Sequence, residues 1–319
     1  MCAHAAMAAE NSLAIRRSNF VGAVAFYCFC SATMLVANKA AVVSFPFPNL
    51  LLCMQFVTSV VVPRTLGALG YLEVDGLELR KVLGFLKAVA VFFATLFTSM
   101  MALRDLNVDT VIVFRSSLPL AVAIGDFLFM QRELPSGRTW GALTLTLAGS
   151  IIFARSESEL RVTKCFWAFC YWGCMVADQL VLKHVVSKGP ELTTWGRVYY
   201  QNTLSLVPAV AIALLQGEFQ AYNEGSVSLQ DPSVAIKVAL SCIVGCGISF
   251  AGFLLRKYVS ALTFTVIGVT NKIATVLINV LVWDYHASSM GTFALLVCIG
   301  GASLYQPPKK KEKATALPK

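Results

Sequence analysis

The residues of this chain best equipped for chemistry are cations and amides set in apolar surroundings. In Gly268-Val269-Thr270-Asn271-Lys272, an amide and an ammonium stand near the start of the apolar stretch Leu262 to Trp283. Arg115 lies in Val113-Phe114-Arg115-Ser116-Ser117-Leu118-Pro119, and Asn38-Lys39 comes near the end of the first apolar run. A cation at membrane depth is costly unless it meets a partner or water, and a guanidinium cannot shed its charge to escape that cost. Three such cations could converge on a polyanion. Alternatively, each could snorkel to an interface or pair with a carboxylate such as Asp126 or Asp178. Lys272 suits a phosphate as a point charge, and Asn271 offers both donor and acceptor. Gly268 lets a ligand or a second helix approach the backbone. Tyr199-Tyr200-Gln201-Asn202 sets two rings beside two amides, which suits a nucleobase because rings stack on its faces and amides read its edge. Tyrosines at a span entrance also serve as interfacial belt residues.

The elements that must position these groups are apolar. The 319 residues are 57% hydrophobic and 13% charged, against roughly 45–50% and about 25% in soluble domains. Stretches approaching the roughly 20 apolar residues that span a bilayer occur at 20–43, 50–72, 82–103, 110–129, 139–154, 165–182, 198–216, 234–255, 262–282 and 290–305. The expected fold is therefore an all-α polytopic membrane protein with ten transmembrane helices. With a cytosolic N-terminus, 16 Lys/Arg fall in cytosolic segments and 4 in luminal loops, so the positive-inside rule predicts both termini in the cytosol.

The net charge of +9 does not form an aromatic-interleaved basic face, so no nucleic-acid partner is expected. The run Lys309-Lys310-Lys311-Glu312-Lys313 reads as a cytosolic tail attracted to anionic membrane lipid. Ten cysteines form no CxxC pair, and Cys170/Cys174 and Cys242/Cys246 read as small packing residues. Only His4, His184 and His286 are present, with no HExxH or nucleophile motif, so neither an enzyme nor a cofactor is indicated. Met1 to Asn19 lacks the apolar core of a signal peptide and is short for a plastid transit peptide, so the first span is expected to serve as the targeting element. Gly245, Gly247 and Gly252 would permit close helix packing within a protomer or in a homodimer.

Weak internal similarity runs through the chain. Val42-Val43-Ser44 matches Val185-Val186-Ser187, Gln55 matches Gln201, and Pro63 matches Pro208; Glu133 precedes Gly141 and Gly149 as Asp284 precedes Gly291 and Gly300. The offset stays between 143 and 151 residues. This predicts a cytosolic tail 1–19, a first five-helix repeat over 20–154, a second over 165–305 and a cytosolic tail 306–319. An odd number of spans inverts the second copy, an architecture of secondary transporters with substrate near the midplane.

Gly268 to Lys272 resembles the GALNK motif, and Tyr199 to Asn202 the FYNN motif, of Golgi GDP-mannose transporters in the drug/metabolite transporter superfamily. Val113 to Pro119 is similar to the VFRxxxP stretch of that group. Asn271 to Gln306, with Trp283-Asp284, His286-Ala287-Ser288, Gly300-Gly301 and Tyr305-Gln306, resembles plant-type GDP-sugar transporters. The resemblance implies a ten-helix Golgi antiporter exchanging a GDP-sugar for GMP. It implies that Gln201 and Asn202 read guanine or ribose, and that Gly268, Asn271 and Lys272 bind the nucleotide sugar, with Lys272 near the phosphates. Gln201 stands where the motif has its first asparagine, and Val269-Thr270 replace Ala-Leu, which puts the strictness of guanine preference in question. Arg115, Lys39 and Asn38 complete the expected substrate-binding set, together with Tyr199 and Tyr200. The alternatives are another cargo, a UDP-sugar or phosphorylated metabolite, and, from another class, a membrane-embedded enzyme or non-transporting scaffold.

Overall fold

The computed structural model describes residues 2–105, 108–130, 133–157, 166–225, 229–282 and 289–305. Trp283 to Ser288, including Asp284 and His286, and the tail from Gln306 lie outside the described residues, as do the side chains of Lys39 and Val113. Among the described residues, the regular elements are all α-helices. They are α1 (Cys2–Ser44), α2 (Pro48–Ala68), α3 (Leu79–Asp105), α4 (Val108–Met130), α5 (Gly137–Glu157), α6 (Phe166–Lys188), α7 (Thr194–Leu215), α8 (Glu218–Glu224), α9 (Pro232–Tyr258), α10 (Ala261–Val282) and α11 (Ser289–Ser303).

Each apolar segment expected from the sequence falls on one of these helices, and α8 is the addition. Among the described residues, five helices are long and apolar enough to cross a membrane: Arg17–Ser44, Pro48–Ala68, Leu79–Ser99, Thr194–Leu215 and Pro232–Tyr258. The chain is an all-helical polytopic membrane protein. The helices are apolar all round because one face meets protein and the other hydrocarbon. On α9, Val234, Val238, Ser241, Cys242 and Gly245 are buried, whereas Ile236, Leu240 and Ile243 are exposed.

The chain forms two compact units that interleave the two expected repeats: residues 1–93 with 185–259, and 94–184 with 260–319. In the first unit, α1 packs on α9, and α2 packs on α7 and α9. Gly245 of α9 faces Gln55 and Met34, and Gly247 faces Cys30, so these glycines are used inside the unit.

The pairing of α2 with α7 rests on a reciprocal device. After α2, Gly70 adopts φ +80, and after α7, Gly217 adopts φ +68, a left-handed backbone that only glycine enters without strain. Beyond Gly217, the buried Glu218 accepts hydrogen bonds from Asn49 N at 3.0 Å, Leu50 N at 2.9 Å and Asn49 Nδ2 at 2.6 Å, all in the first turn of α2. Beyond Gly70, Asp75 accepts from Thr193 N and from Thr193 Oγ1, both at 2.7 Å, at the N-cap of α7. Each acid thus meets the unpaired N–H groups and positive dipole end of the other helix. Because each helix ends where the other begins, α2 and α7 run antiparallel.

In the second unit, α5 packs on α11 and α4, and α10 packs on α4 and α11. The α5–α11 contact is closed by glycines on both sides. A Cβ on Gly149 would come within 2.7 Å of Cys298 Sγ and 2.9 Å of Ala294 O, and one on Gly301 within 2.7 Å of Thr146 Oγ1. A core of Leu118, Val122, Ala123, Leu143, Ala261, Leu262 and Val266 joins α4, α5 and α10.

Candidate functional site

In the second unit, the cations of α4 and α10 come to one level. The buried Asp126 near the end of α4 accepts from Leu262 N at 3.3 Å, tying it to the first turn of α10. Arg115 lies eleven residues before Asp126 and Lys272 ten residues after Leu262, which at 1.5 Å per residue puts each roughly 15 Å from that tie. Because Lys272 also lies within electrostatic range of Arg115, the two helices run antiparallel and carry these residues at one level. Lys272 is partly buried. The same spacing separates Arg115 from Asp126 along α4, so this carboxylate serves the start of α10 instead of pairing with Arg115.

Arg115 is held by Tyr171 of α6. Its Nε and Nη2 donate to the Tyr171 hydroxyl at 2.9 and 2.5 Å, and its guanidinium lies 5.7 Å from that ring's centroid. The next α6 residue, Trp172, donates from Nε1 to Ser117 Oγ at 2.9 Å. Ser116 Oγ accepts from Ser150 Oγ at 2.6 Å, fixing α4 to α5. Adjacent residues of α6 and α5 thus set the rotation of α4 and the aim of Arg115. Beside Lys272, Asn271 Nδ2 is buried without a hydrogen-bond partner. A buried donor left unmade costs about 1–3 kcal/mol. The cluster offers donors and positive charge, the chemistry that suits an acceptor-rich anion.

The first unit holds the motif on α7, and its four residues divide. Tyr200 is fully buried, its hydroxyl donating to Gly76 O at 2.6 Å and accepting from Glu78 N at 2.9 Å, with its ring against Phe85. It pins the chain between α2 and α3 and leaves neither ring face nor hydroxyl for a base. Asn202 donates from Nδ2 to Val198 O of its own helix at 2.8 Å. Tyr199 is partly buried, with the Arg64 guanidinium 5.4 Å from its ring centroid. Gln201 is buried, and its Oε1 has no partner.

Asn38 belongs to a closed polar triangle in this unit. Its Oδ1 accepts from Gln55 Nε2 at 3.0 Å and from Ser241 Oγ at 2.7 Å, and Gln55 Nε2 also donates to Ser241 Oγ at 2.7 Å. Asn38 ties α1 to α2 and α9. The structure thus brings Arg115, Asn271 and Lys272 together in one unit, with Gly268 one turn before Lys272 on α10, and places Asn38 and the α7 motif in the other. Sequence reasoning passed over Tyr171, because a tyrosine in Cys170-Tyr171-Trp172 reads like any belt aromatic. It also passed over Asp75 and Glu218, whose 143-residue separation lies within the repeat offset and was the available signal.

The sequence profile of the Triose-phosphate Transporter family matches residues 20–306. The chain is 40% identical over 291 residues to GDP-fucose transporter 1 of Arabidopsis thaliana, covering 90% of this chain and 85% of that protein. It is 37% identical over 308 residues to the GDP-mannose transporter GONST3 of the same plant, covering 95% of this chain and 82% of that protein. The UDP-galactose/UDP-glucose transporter 7 of Arabidopsis thaliana is 25% identical over 298 residues, covering 90% and 89%. A crystal structure with 16% sequence identity superposes with a TM-score of 0.67, covering 90% of this chain and 96% of that one, so the two share a fold.

Proposed function

The chain belongs to the triose-phosphate transporter family, and from that membership we propose that it is a Golgi nucleotide-sugar antiporter. On this reading it imports a GDP-sugar of the GDP-mannose, GDP-fucose or GDP-galactose type in exchange for GMP by alternating access. The observation that carries the reading is the donor-rich cluster of Arg115, Asn271 and Lys272. Two level cations beside an unsatisfied amide donor call for a ligand with several anionic oxygens, which a nucleoside diphosphate sugar and a nucleoside monophosphate both supply. Guanine is favoured because relatives named for GDP-sugars are 37% and 40% identical to the chain, against 25% for one named for UDP-sugars.

Lys272, midway along the 22-residue α10, clamps phosphate with Arg115, and Asn271 donates beside them. Gln201 offers its unpartnered amide oxygen to base or ribose. Exchange requires that the loaded site cross the bilayer faster than the empty one. The antiparallel α2–α7, α4–α10 and α5–α11 pairs support an inverted repeat, since partners in each pair occupy equivalent places in the two copies. Both termini then face the cytosol.

The second cargo reading, a UDP-sugar or phosphorylated metabolite, is favoured by the UDP-sugar relative and by the family's name. Competition in an exchange assay separates the two. The proposal expects GMP to inhibit uptake of labelled GDP-mannose at far lower concentration than UMP or inorganic phosphate. Equal inhibition by GMP and UMP would remove the guanine assignment.

A further inference from the structure

Three polar residues follow one another at one-turn intervals along α7: Arg197, Gln201 and Ser205. Spacing of four residues puts them on one face of the helix, and all three are more than nine-tenths buried, Ser205 completely. Each carries a buried atom without a hydrogen-bond partner: Arg197 Nε, Gln201 Oε1 and Ser205 Oγ. Other polar residues on this helix find partners, as Asn202 does on Val198 O and Tyr200 on Gly76 O and Glu78 N. Thr203 Oγ1 is also unpartnered, but it lies on the opposite side, with Tyr199.

A buried serine in a helix ordinarily returns its proton to the carbonyl four residues earlier. Thr58, Thr98, Thr146, Ser150, Thr265, Thr270 and Thr275 do this, at 2.7 to 3.0 Å. Ser205 does not, so its hydroxyl is aimed away from its own helix. About 6 Å along the axis separates it from Gln201. An acceptor at Gln201 and a donor-acceptor at Ser205 match a polyol, whose hydroxyls both donate and accept; a phosphate would leave Gln201 Oε1 facing another acceptor.

We propose that Ser205, with Gln201, reads a hydroxyl of the bound nucleotide sugar and is a specificity-determining residue on α7. The proposal rests on the nucleotide-sugar reading above and adds to it a residue one turn beyond the motif. The hydroxyl belongs either to the ribose or to the transported sugar, and the test distinguishes them.

Ser205→Ala removes the hydroxyl and nothing else. Purified wild-type and Ser205→Ala protein would be melted alone and with GMP, 2′,3′-dideoxy-GMP and GDP-mannose, reading affinity from the ligand-induced shift in Tm. Without ligand, the variant should melt at or above the wild-type temperature, because no internal hydrogen bond is lost. Affinity for GDP-mannose should fall about fivefold, the worth of one hydrogen bond. An equal fall for GMP assigns the ribose, and an unchanged GMP affinity assigns the sugar. Dideoxy-GMP binding should be unaffected in both cases. Unchanged affinity for GDP-mannose, an equal loss for dideoxy-GMP, or a variant that melts lower or fails to fold would overturn the proposal. A wild-type protein that neither GMP nor GDP-mannose stabilises would instead sink the nucleotide-sugar reading on which it depends.

Discussion

The α2–α7 pair and the α5–α11 pair are each made of helices that the expected repeat would relate, and they are fastened at different places. At α2–α7, the helix ends are joined: a left-handed glycine turns the chain, and Glu218 or Asp75 then binds the start of the partner helix. At α5–α11, the helix middles are joined: Gly149 and Gly301 let backbones approach until there is no room for a Cβ. In hydrocarbon, helices gain no hydrophobic stabilisation from meeting one another, so close van der Waals packing or hydrogen bonding must hold them. The α2–α7 pair relies on hydrogen bonds at its ends, and the α5–α11 pair on close packing supplemented by Thr146 and Ser150 on Cys298 at 3.3 to 3.4 Å. The end-capped pair leaves the middle of α7 with unsatisfied polar groups, whereas the glycine-packed pair fills its middle and satisfies the polar groups there, Thr146 and Ser150, against Cys298 and Ser116.

The contrast breaks most readily at Gly149. Gly149→Val would drive side-chain atoms into Cys298 and the Ala294 carbonyl, a backbone obstacle that cannot swing aside; overpacking of this kind costs roughly 1–3 kcal/mol or more. The expected outcome is loss of the monodisperse peak on detergent size-exclusion chromatography. Gly141→Val, with nothing within 4 Å of its added Cβ, should behave as wild type. If both elute normally, the middle of α5 is not closed by glycine.

The caps come next. Glu218→Ala strands the Asn49 and Leu50 backbone N–H groups at the start of α2 and leaves Asn49 Nδ2 with Gln216 Oε1 alone, a loss of about 2 kcal/mol for bonds to a charged group. Asp75→Ala should lower the unfolding temperature by a similar amount. Similar drops sharpen the reciprocity of the two caps, whereas a drop confined to one variant breaks it.

The smallest expected effect belongs to Tyr171→Phe. It keeps the ring beneath Arg115 and deletes only the hydroxyl that accepts from Nε and Nη2. The fold should persist with little change in Tm, while nucleotide affinity weakens by about fivefold because Arg115 is no longer aimed. Unchanged affinity would show that Arg115 holds its geometry without Tyr171.

Much of the fold was legible in the sequence because the bilayer imposes a single demand, long apolar helices, and the ten expected segments all fall on helices. The helix α8 escaped because seven residues are too few to show a helical period, and its contacts, Glu218 on α2 and Tyr222 on Phe45 and Phe47, are tertiary. At the candidate site, Arg115, Asn271 and Lys272 stood out because polar groups inside apolar runs are conspicuous. Tyr200 was read as a stacking ring, since a tyrosine at a span entrance gives no sign that its hydroxyl will be taken by Gly76 and Glu78. Asn38 was read as a ligand contact for the same reason, and its partners Gln55 and Ser241 lie on helices 17 and 203 residues away in sequence. Local pattern shows which residues are costly to bury. Only tertiary packing shows which of them the protein has already satisfied.

The central claim is that Lys272 and Arg115 form the anion clamp of a GDP-sugar/GMP exchanger. The most direct measurement is uptake of labelled GDP-mannose into proteoliposomes preloaded with GMP, comparing wild type with Lys272→Ala that has been verified as folded by its melting curve. The account predicts exchange by the wild type and, for the variant, uptake no greater than in protein-free liposomes. Full exchange by a folded Lys272→Ala protein would contradict it.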